Sequence, residues 1–199
     1  KEIRAKQHEV GNHVDAILNM HLTVNDYEEL VARQSEYITE VIKDDGSRRY
    51  LPLLRISDKV LAGFLYSKIV RAPSYIRTDV EVKSLEIISG ISEHHLIEIV
   101  GTLVDNAYEA CTEERNRVFM ELDSEDDRLI FVVKNQIQNT RMAEIHRFFE
   151  KGYSTKKDAD GHGLGLYNAK MLVGRYRGEI TVSIEKMENQ DYISIKVIV

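Results

Sequence analysis

The chain reads as an α/β (α+β) protein, an N-terminal helical hairpin followed by an α/β sandwich whose mixed sheet is covered by helices on one face. Three observations predict it. Two amphipathic helical patterns with a short break between them occupy residues 1–43. Five segments rich in β-branched and alternating apolar residues follow, interleaved with helical periods. A glycine-rich run, Gly161-His162-Gly163-Leu164-Gly165-Leu166, stands where one of those helices begins. At 199 residues the chain is long enough for one full α/β domain plus a hairpin.

Ile3, Val10, Val14, Ile17, Leu18 and Met20 to Leu22 give the first helix, which Asn25-Asp26 breaks. Asp26 with Glu29 reads as a capping arrangement for a second helix through Leu30, Val31, Tyr37, Ile38, Val41 and Ile42. Such a hairpin has too little surface to be stable alone, and pairing with a second copy would complete a dimeric four-helix bundle. The polar run from Lys43 to Arg49, with Gly46 inside it, marks the boundary between a hairpin over 1–46 and a second domain over 47–199. Strands are predicted at Val80–Leu85, Arg117–Leu122, Leu129–Lys134, Glu179–Glu185 and Tyr192–Val199. The last alternates Ile193, Ile195, Val197 and Val199 in period two. Helices near 58–71, 94–111, 140–150 and 165–176 would cover one side of the sheet. Residues 151–163, charged and glycine-bearing without apolar periodicity, are expected to form a mobile lid.

The helix from His94 to Cys111 carries Leu96, Val100, Leu103, Ala107 and Ala110 on an apolar face. Glu98, Thr102, Asn106, Glu109 and Glu113 form a polar stripe at the same spacing. Taken alone, such a stripe is more often a solvated face. A carboxylate, a hydroxyl and an amide stacked one turn apart can nonetheless hold a magnesium ion and its waters through oxygen. The three glycines of 161–166 let backbone approach an anion closely, and the helix they open offers unpaired N–H groups to a phosphate chain. Leu166, Ala169, Leu172, Val173 and Tyr176 continue that helix. A glycine-rich turn by itself would be only a loop between elements.

Order and spacing combine these pieces into a resemblance. Glu98-Ile-Val-Gly-Thr-Leu-Val-Asp-Asn106-Ala-Tyr-Glu-Ala resembles the N box of the GHKL, or Bergerat-type, ATP-binding domain of gyrases, heat-shock-90 chaperones, mismatch-repair ATPases and histidine kinases. Phe149-Glu-Lys-Gly-Tyr-Ser-Thr-Lys156 resembles its F box and following lid, and Gly161 to Leu166 its second glycine box. The chain departs from the pattern twice. Thr102 stands where the N box has a second Asn, one turn before the magnesium-binding one. The strand Leu129–Lys134 ends in Asn135-Gln-Ile-Gln-Asn, without the first glycine box, so Asn135 takes the place of its adenine-reading Asp. An amide oxygen accepts a similar hydrogen bond, but a neutral acceptor is weaker than a charged one.

The first helix assigns the branch. Arg4, His8, Glu9 and Asn12 resemble the phosphoacceptor box of the citrate- and dicarboxylate-sensing histidine kinases and of the peptide quorum-sensor kinases. The hairpin around them is similar to that of sporulation phosphotransferases. A lone helical His is usually structural; here Asn12 follows His8 by one turn, so both project from one face. Ser57 to Lys68 is similar to the segment that opens the catalytic domain in that group.

The resemblance implies a sensor histidine kinase that binds ATP with Mg2+ between the N-box helix and the lid and autophosphorylates His8. It implies Asn106 as the magnesium ligand, Glu98 near the γ-phosphate, and Glu9 as the group that takes or orients the imidazole proton. Thr102, Glu109, Asn135, Tyr153, Thr155, Lys156, Gly161, His162, Gly163, Leu164, Gly165 and Leu166 would line the nucleotide. The phosphoryl group would pass to an aspartate on a response regulator receiver domain. Two other readings compete: a phosphorelay or scaffold protein with a degenerate nucleotide pocket, and a gyrase- or chaperone-like ATPase that hydrolyses rather than transfers.

A net charge of −6 without a long basic run argues against a nucleic-acid partner. The single cysteine, Cys111, excludes an internal disulfide and suits a reducing compartment. No apolar run approaches the roughly 20 residues that span a bilayer. Since Lys1 falls inside a helical pattern, the expected setting is a cytoplasmic fragment of a membrane-bound sensor, reaching the membrane only through an N-terminal region outside this sequence.

Overall fold

A computed structural model describes residues 51–137, 145–152 and 164–199, apart from 55 and 85, with scattered positions between 16 and 36. The core is a five-stranded sheet in the order β1-β2-β3-β5-β4. Its strands are β1 (Arg77–Val82), β2 (Arg117–Glu125), β3 (Arg128–Gln136), β4 (Glu179–Met187) and β5 (Gln190–Ile198). The helices are α1 (Leu51–Leu54), α2 (Lys59–Arg71), α3 (Glu93–Glu109) and α4 (Gly165–Arg175). β1 and β2 are parallel, joined through α3, and every other neighbouring pair is antiparallel. The predicted mixed α/β architecture is therefore the observed one.

Local signals explain the boundaries. Asp58, in extended conformation, caps α2 by accepting the Leu61 N–H at 2.8 Å. The helix ends at Ala72, held extended (φ −58, ψ 150) before Pro73. Two hairpins close on two-residue turns, Asp126-Asp127 and Glu188-Asn189, all four residues at positive φ as a type I′ turn requires. α4 ends in a Schellman arrangement, with Arg177 N–H on the Gly174 carbonyl at 3.0 Å and Gly178 N–H on the Val173 carbonyl at 3.0 Å.

Arg177, not Gly178, takes the left-handed position, at φ 54. Gly178 is there for space. A Cβ on it would lie 2.6 Å from the Ile198 carbonyl oxygen, 2.7 Å from Val199 Cγ1 and 2.9 Å from Val173 Cγ1. The carbonyl belongs to β5 and cannot swing aside. Gly178→Ala is therefore expected to destabilise the fold by about 2–3 kcal/mol, the upper part of the range for overpacking. Urea denaturation measures it, and a midpoint equal to the parent's would remove the steric reading.

Alternation places Val118, Met120 and Leu122 of β2, Leu129, Phe131 and Val133 of β3, and Ile195 and Val197 of β5 on one face. Leu61, Leu65, Leu96, Ile99, Leu103 and Leu172 close over them from the helices. Burying each such side chain contributes about 1.5–3 kcal/mol. The opposite face carries ion pairs, including Lys134–Glu185 at 2.7 Å, around the edge-to-face Phe119–Tyr192 contact.

Several expected limits shift. β1 starts three residues earlier than expected and releases the chain at Val82, before Leu85. α3 stops at Glu109, leaving Ala110 as an exposed C-cap rather than part of the apolar face. Of the helix expected near 140–150, the described part is Ile145 in α-helical conformation followed by a 3-10 turn at His146–Phe149. Within the expected hairpin, Met20–Leu22 is likewise a 3-10 turn rather than continued α-helix. Asp26 caps as expected, accepting the Glu29 N–H on Oδ1 at 2.8 Å. Residues 28–30, 32–34 and 36 are helical. The rest of the expected hairpin and the expected boundary near residue 46 lie outside the described residues.

Candidate functional site: the face of helix α3

α3 opens at Ser92, whose hydroxyl engages His95 Nδ1 at 3.0 Å rather than capping the helix. The His95 ring nitrogen also meets the Tyr176 hydroxyl at 2.6 Å, which ties the start of α3 to the end of α4. Leu96, Ile99, Leu103, Val104 and Ala107 press the helix onto the core. That burial leaves Glu98, Thr102, Asn106 and Glu109 on the remaining surface, Glu98 and Glu109 exposed, Thr102 and Asn106 half-buried.

The N-terminus of α4 crosses this surface. A Cβ on Gly165 would lie 3.3 Å from Thr102 Cγ2 and 3.8 Å from Asn106 Nδ2. The glycine at 165 thus allows close approach of two helices, and it brings Thr102, Asn106 and the first residue of α4 together. Leu164 is exposed ahead of the helix, and Leu166 packs partly against the core.

Asn106 Nδ2 donates to the Thr102 carbonyl at 2.7 Å, one turn back. Its nitrogen is therefore committed to its own helix. The oxygen Oδ1 is the atom left to offer, and oxygen is the donor a hard divalent cation takes. Backbone without a Cβ beside it, at a helix start, suits an anionic phosphate chain. The residues present accordingly fit magnesium with a polyphosphate.

Asn135 pairs with Val118 and Ile193 and shares the helix-covered face with Leu129, Phe131 and Val133. It is 4% exposed, one of three buried polar residues among those described, with Thr78 and Ser194. Its Nδ2 donates to the Gln136 carbonyl at 3.4 Å. His8, Glu9, Asn12, Tyr153, Thr155, Lys156, Gly161, His162 and Gly163 lie outside the described residues.

Sequence reasoning missed how α3 is held from its other side. Lys68 of α2 grips both carboxylate oxygens of Asp105 at 2.7 Å. Beside this pair is a cleft of about 640 Å³ walled by Phe64, Lys68, Arg71, Tyr75 and Tyr108, with Glu109 at its edge. It includes neither Asn106 nor Asn135, and it shares only Glu109 with the residues expected to line the nucleotide. The available signal was a matching spacing of four, Phe64 to Lys68 and Gly101 to Asp105. Cys111, just beyond α3, is buried; burial pushes its thiol up to about 11 and keeps it neutral.

Residues 92–197, more than half of the chain, match the GHKL domain family. The "Probable C4-dicarboxylate sensor kinase" of Halalkalibacterium halodurans is 26% identical over 92% of this chain and 34% of its own length. The sensor histidine kinase DpiB of Escherichia coli is 29% identical over 92% of this chain and 33% of its own. The chain thus spans about a third of the length of the curated relatives it matches. Among solved structures, a mycobacterial sensor histidine kinase, MprB, superposes with a TM-score of 0.57 at 23% identity, covering 70% of this chain and 93% of that one. That likeness concerns the fold. A family match over more than half of the chain decides the family: the chain belongs to the GHKL domain family.

Proposed function

We propose that this chain is the ATP-using part of a sensor histidine kinase, which binds magnesium-ATP along α3 and the start of α4 and autophosphorylates His8. The observation that carries it is the meeting of Asn106, Thr102 and Gly165, with the Asn106 amide nitrogen committed and its oxygen available. Asn106 Oδ1 would hold the magnesium ion, with Thr102 beside it. Bound magnesium supplies positive charge against the phosphate oxygens. Lys156 and the amides of Gly161, Gly163 and Gly165 would hold those oxygens, flanked by Tyr153, Thr155, His162, Leu164 and Leu166. Glu98, two turns before Asn106, would order the approach to the γ-phosphate, and Glu109 would border the site. Such transfer depends on positioning and charge compensation more than on covalent participation by the protein. On the hairpin, Glu9 would take or orient the His8 imidazole proton so that one ring nitrogen can attack, and Asn12 would fix the ring from the next turn.

The partners follow from the same reading: a second copy through the hairpin, and the receiver aspartate of a response regulator. Among the described residues no helix is long and apolar enough to cross a membrane. The proposed setting is the cytoplasmic segment of a membrane-bound sensor, in keeping with relatives about three times as long.

A degenerate pocket is the second reading, favoured by Asn135, a neutral buried residue in the place of an adenine-reading Asp. Calorimetric titration separates the two. Asn135→Ala should weaken ATP several-fold, about 1 kcal/mol, and GTP less, because at that position of the ring adenine presents an amino donor and guanine a carbonyl oxygen. Asn135→Asp should bind ATP at least as well as the parent. Unchanged affinity in both variants would take Asn135 out of the site.

A further inference from the structure

We propose that the Lys68–Asp105 ion pair is a positioning device for Asn106, so that the seating of α2 on α3 sets how the magnesium ligand is presented. This deepens the kinase reading and rests on it for the role of Asn106. α2 meets α3 at two successive turns. At the first, Phe64 Cζ stands 3.0 Å from where a Cβ on Gly101 would be, so the ring lies directly on the helix backbone. At the second, Lys68 Nζ reaches both Asp105 oxygens at 2.7 Å and lies 5.5 Å from the centre of the Phe64 ring. One contact is steric and one is charged, and both fall on the same stripe of α3.

The neighbouring stripe, Thr102 and Asn106, faces Gly165 of α4. Successive helical residues are about 100° apart, so anchoring 101 and 105 on α2 fixes the direction of 102 and 106. A roll of about 20° at a radius of 5–6 Å would carry the Asn106 oxygen about 2 Å. That exceeds the tolerance of a metal ligand, on the order of 0.5 Å. The side chains of Lys68 and Asp105 are 29% and 49% exposed, so the pair contributes little to stability. Its consequence is orientation rather than folding. Because α2 lies between the N-terminal segment and α3 in the chain, movement of α2 would reach Asn106 without altering any residue that touches nucleotide.

The test compares the whole chain with Lys68→Met, Lys68→Arg and the charge-swapped pair Lys68→Asp/Asp105→Lys. The first readout needs no nucleotide: hydrogen exchange of the Asn106 side-chain amide, protected by the Thr102 carbonyl. Lys68→Met should speed it several-fold, with the melting temperature within a few degrees of the parent. Lys68→Arg and the swapped pair should return it toward the parent rate. The second readout is the magnesium concentration for half-maximal ATP binding, expected to rise about fivefold in Lys68→Met. Unchanged amide exchange in Lys68→Met would overturn the inference. Absence of magnesium-dependent ATP binding in the parent would instead overturn the kinase reading, while the amide exchange still decides whether the pair orients Asn106.

Discussion

Replacing Asn106 by alanine is expected to lower magnesium-ATP-dependent labelling of the chain by about 100-fold, equivalent to about 2.7 kcal/mol of transition-state stabilisation, while the fold survives. The native side chain is half-buried and, among the described residues, makes one hydrogen bond, to the carbonyl one turn back on its own helix. Losing that bond costs about 1 kcal/mol, and alanine's better helix propensity offsets up to roughly 0.7 kcal/mol of it. Stability should therefore barely move. Asn106→Asp separates a need for oxygen from a need for the amide. It keeps an oxygen, but it turns the donor into an acceptor facing the Thr102 carbonyl and sets a second carboxylate beside Asp105. Labelling should fall sharply here too. Quantitative labelling over a magnesium titration, with urea denaturation as control, checks both variants; parent-like labelling in Asn106→Ala would remove Asn106 as the metal ligand.

His8→Gln should abolish labelling outright and leave ATP affinity unchanged. Glutamine keeps a polar side chain that a helix accepts, but it lacks a nucleophilic ring nitrogen. His8 is singled out by Glu9 beside it and Asn12 one turn on. The chain has seven histidines, so the acceptor has competitors. His94 and His95 open α3, but the Nδ1 of His95 is engaged by the Tyr176 hydroxyl at 2.6 Å and by Ser92. Parallel incubation of both proteins with labelled ATP, beside a calorimetric titration, settles the assignment. Equal label on the variant would move the acceptor elsewhere.

Much of the fold was legible because burial on one face imposes a period. β5 could be read from Ile193, Ile195, Val197 and Val199, whereas the extension of β3 through Asn135, on the helix side of the sheet, appears only in the structure. Asp26 announced its helix because a short side-chain acceptor ahead of an apolar period has one common use. β1 was misplaced for a physical reason as well. It is an edge strand paired only with β2, so Arg77, Thr78 and Asp79 join the ladder without an apolar alternation to advertise them. The hairpin turns were equally quiet, since Asp126-Asp127 and Glu188-Asn189 adopt positive φ without glycine.

In the candidate site, residue types and spacing were legible and contacts were not. The stripe on α3 could be drawn from the sequence, whereas the crossing of Gly165 over Thr102 and Asn106 depends on how α4 returns to the sheet. The Lys68–Asp105 pair joins positions 37 apart in the chain, and the matching spacing of four on each helix does not say that the two helices meet.

The central claim is that ATP, held with magnesium on the α3 surface, gives its γ-phosphoryl group to His8. Incubation of the chain with magnesium and γ-labelled ATP tests it most directly, with the protein then split between acid and base treatment. The expected result is protein-bound label that acid removes and base leaves, lost in His8→Gln and in the absence of magnesium. ATP turnover that releases free phosphate without labelling the protein would contradict it.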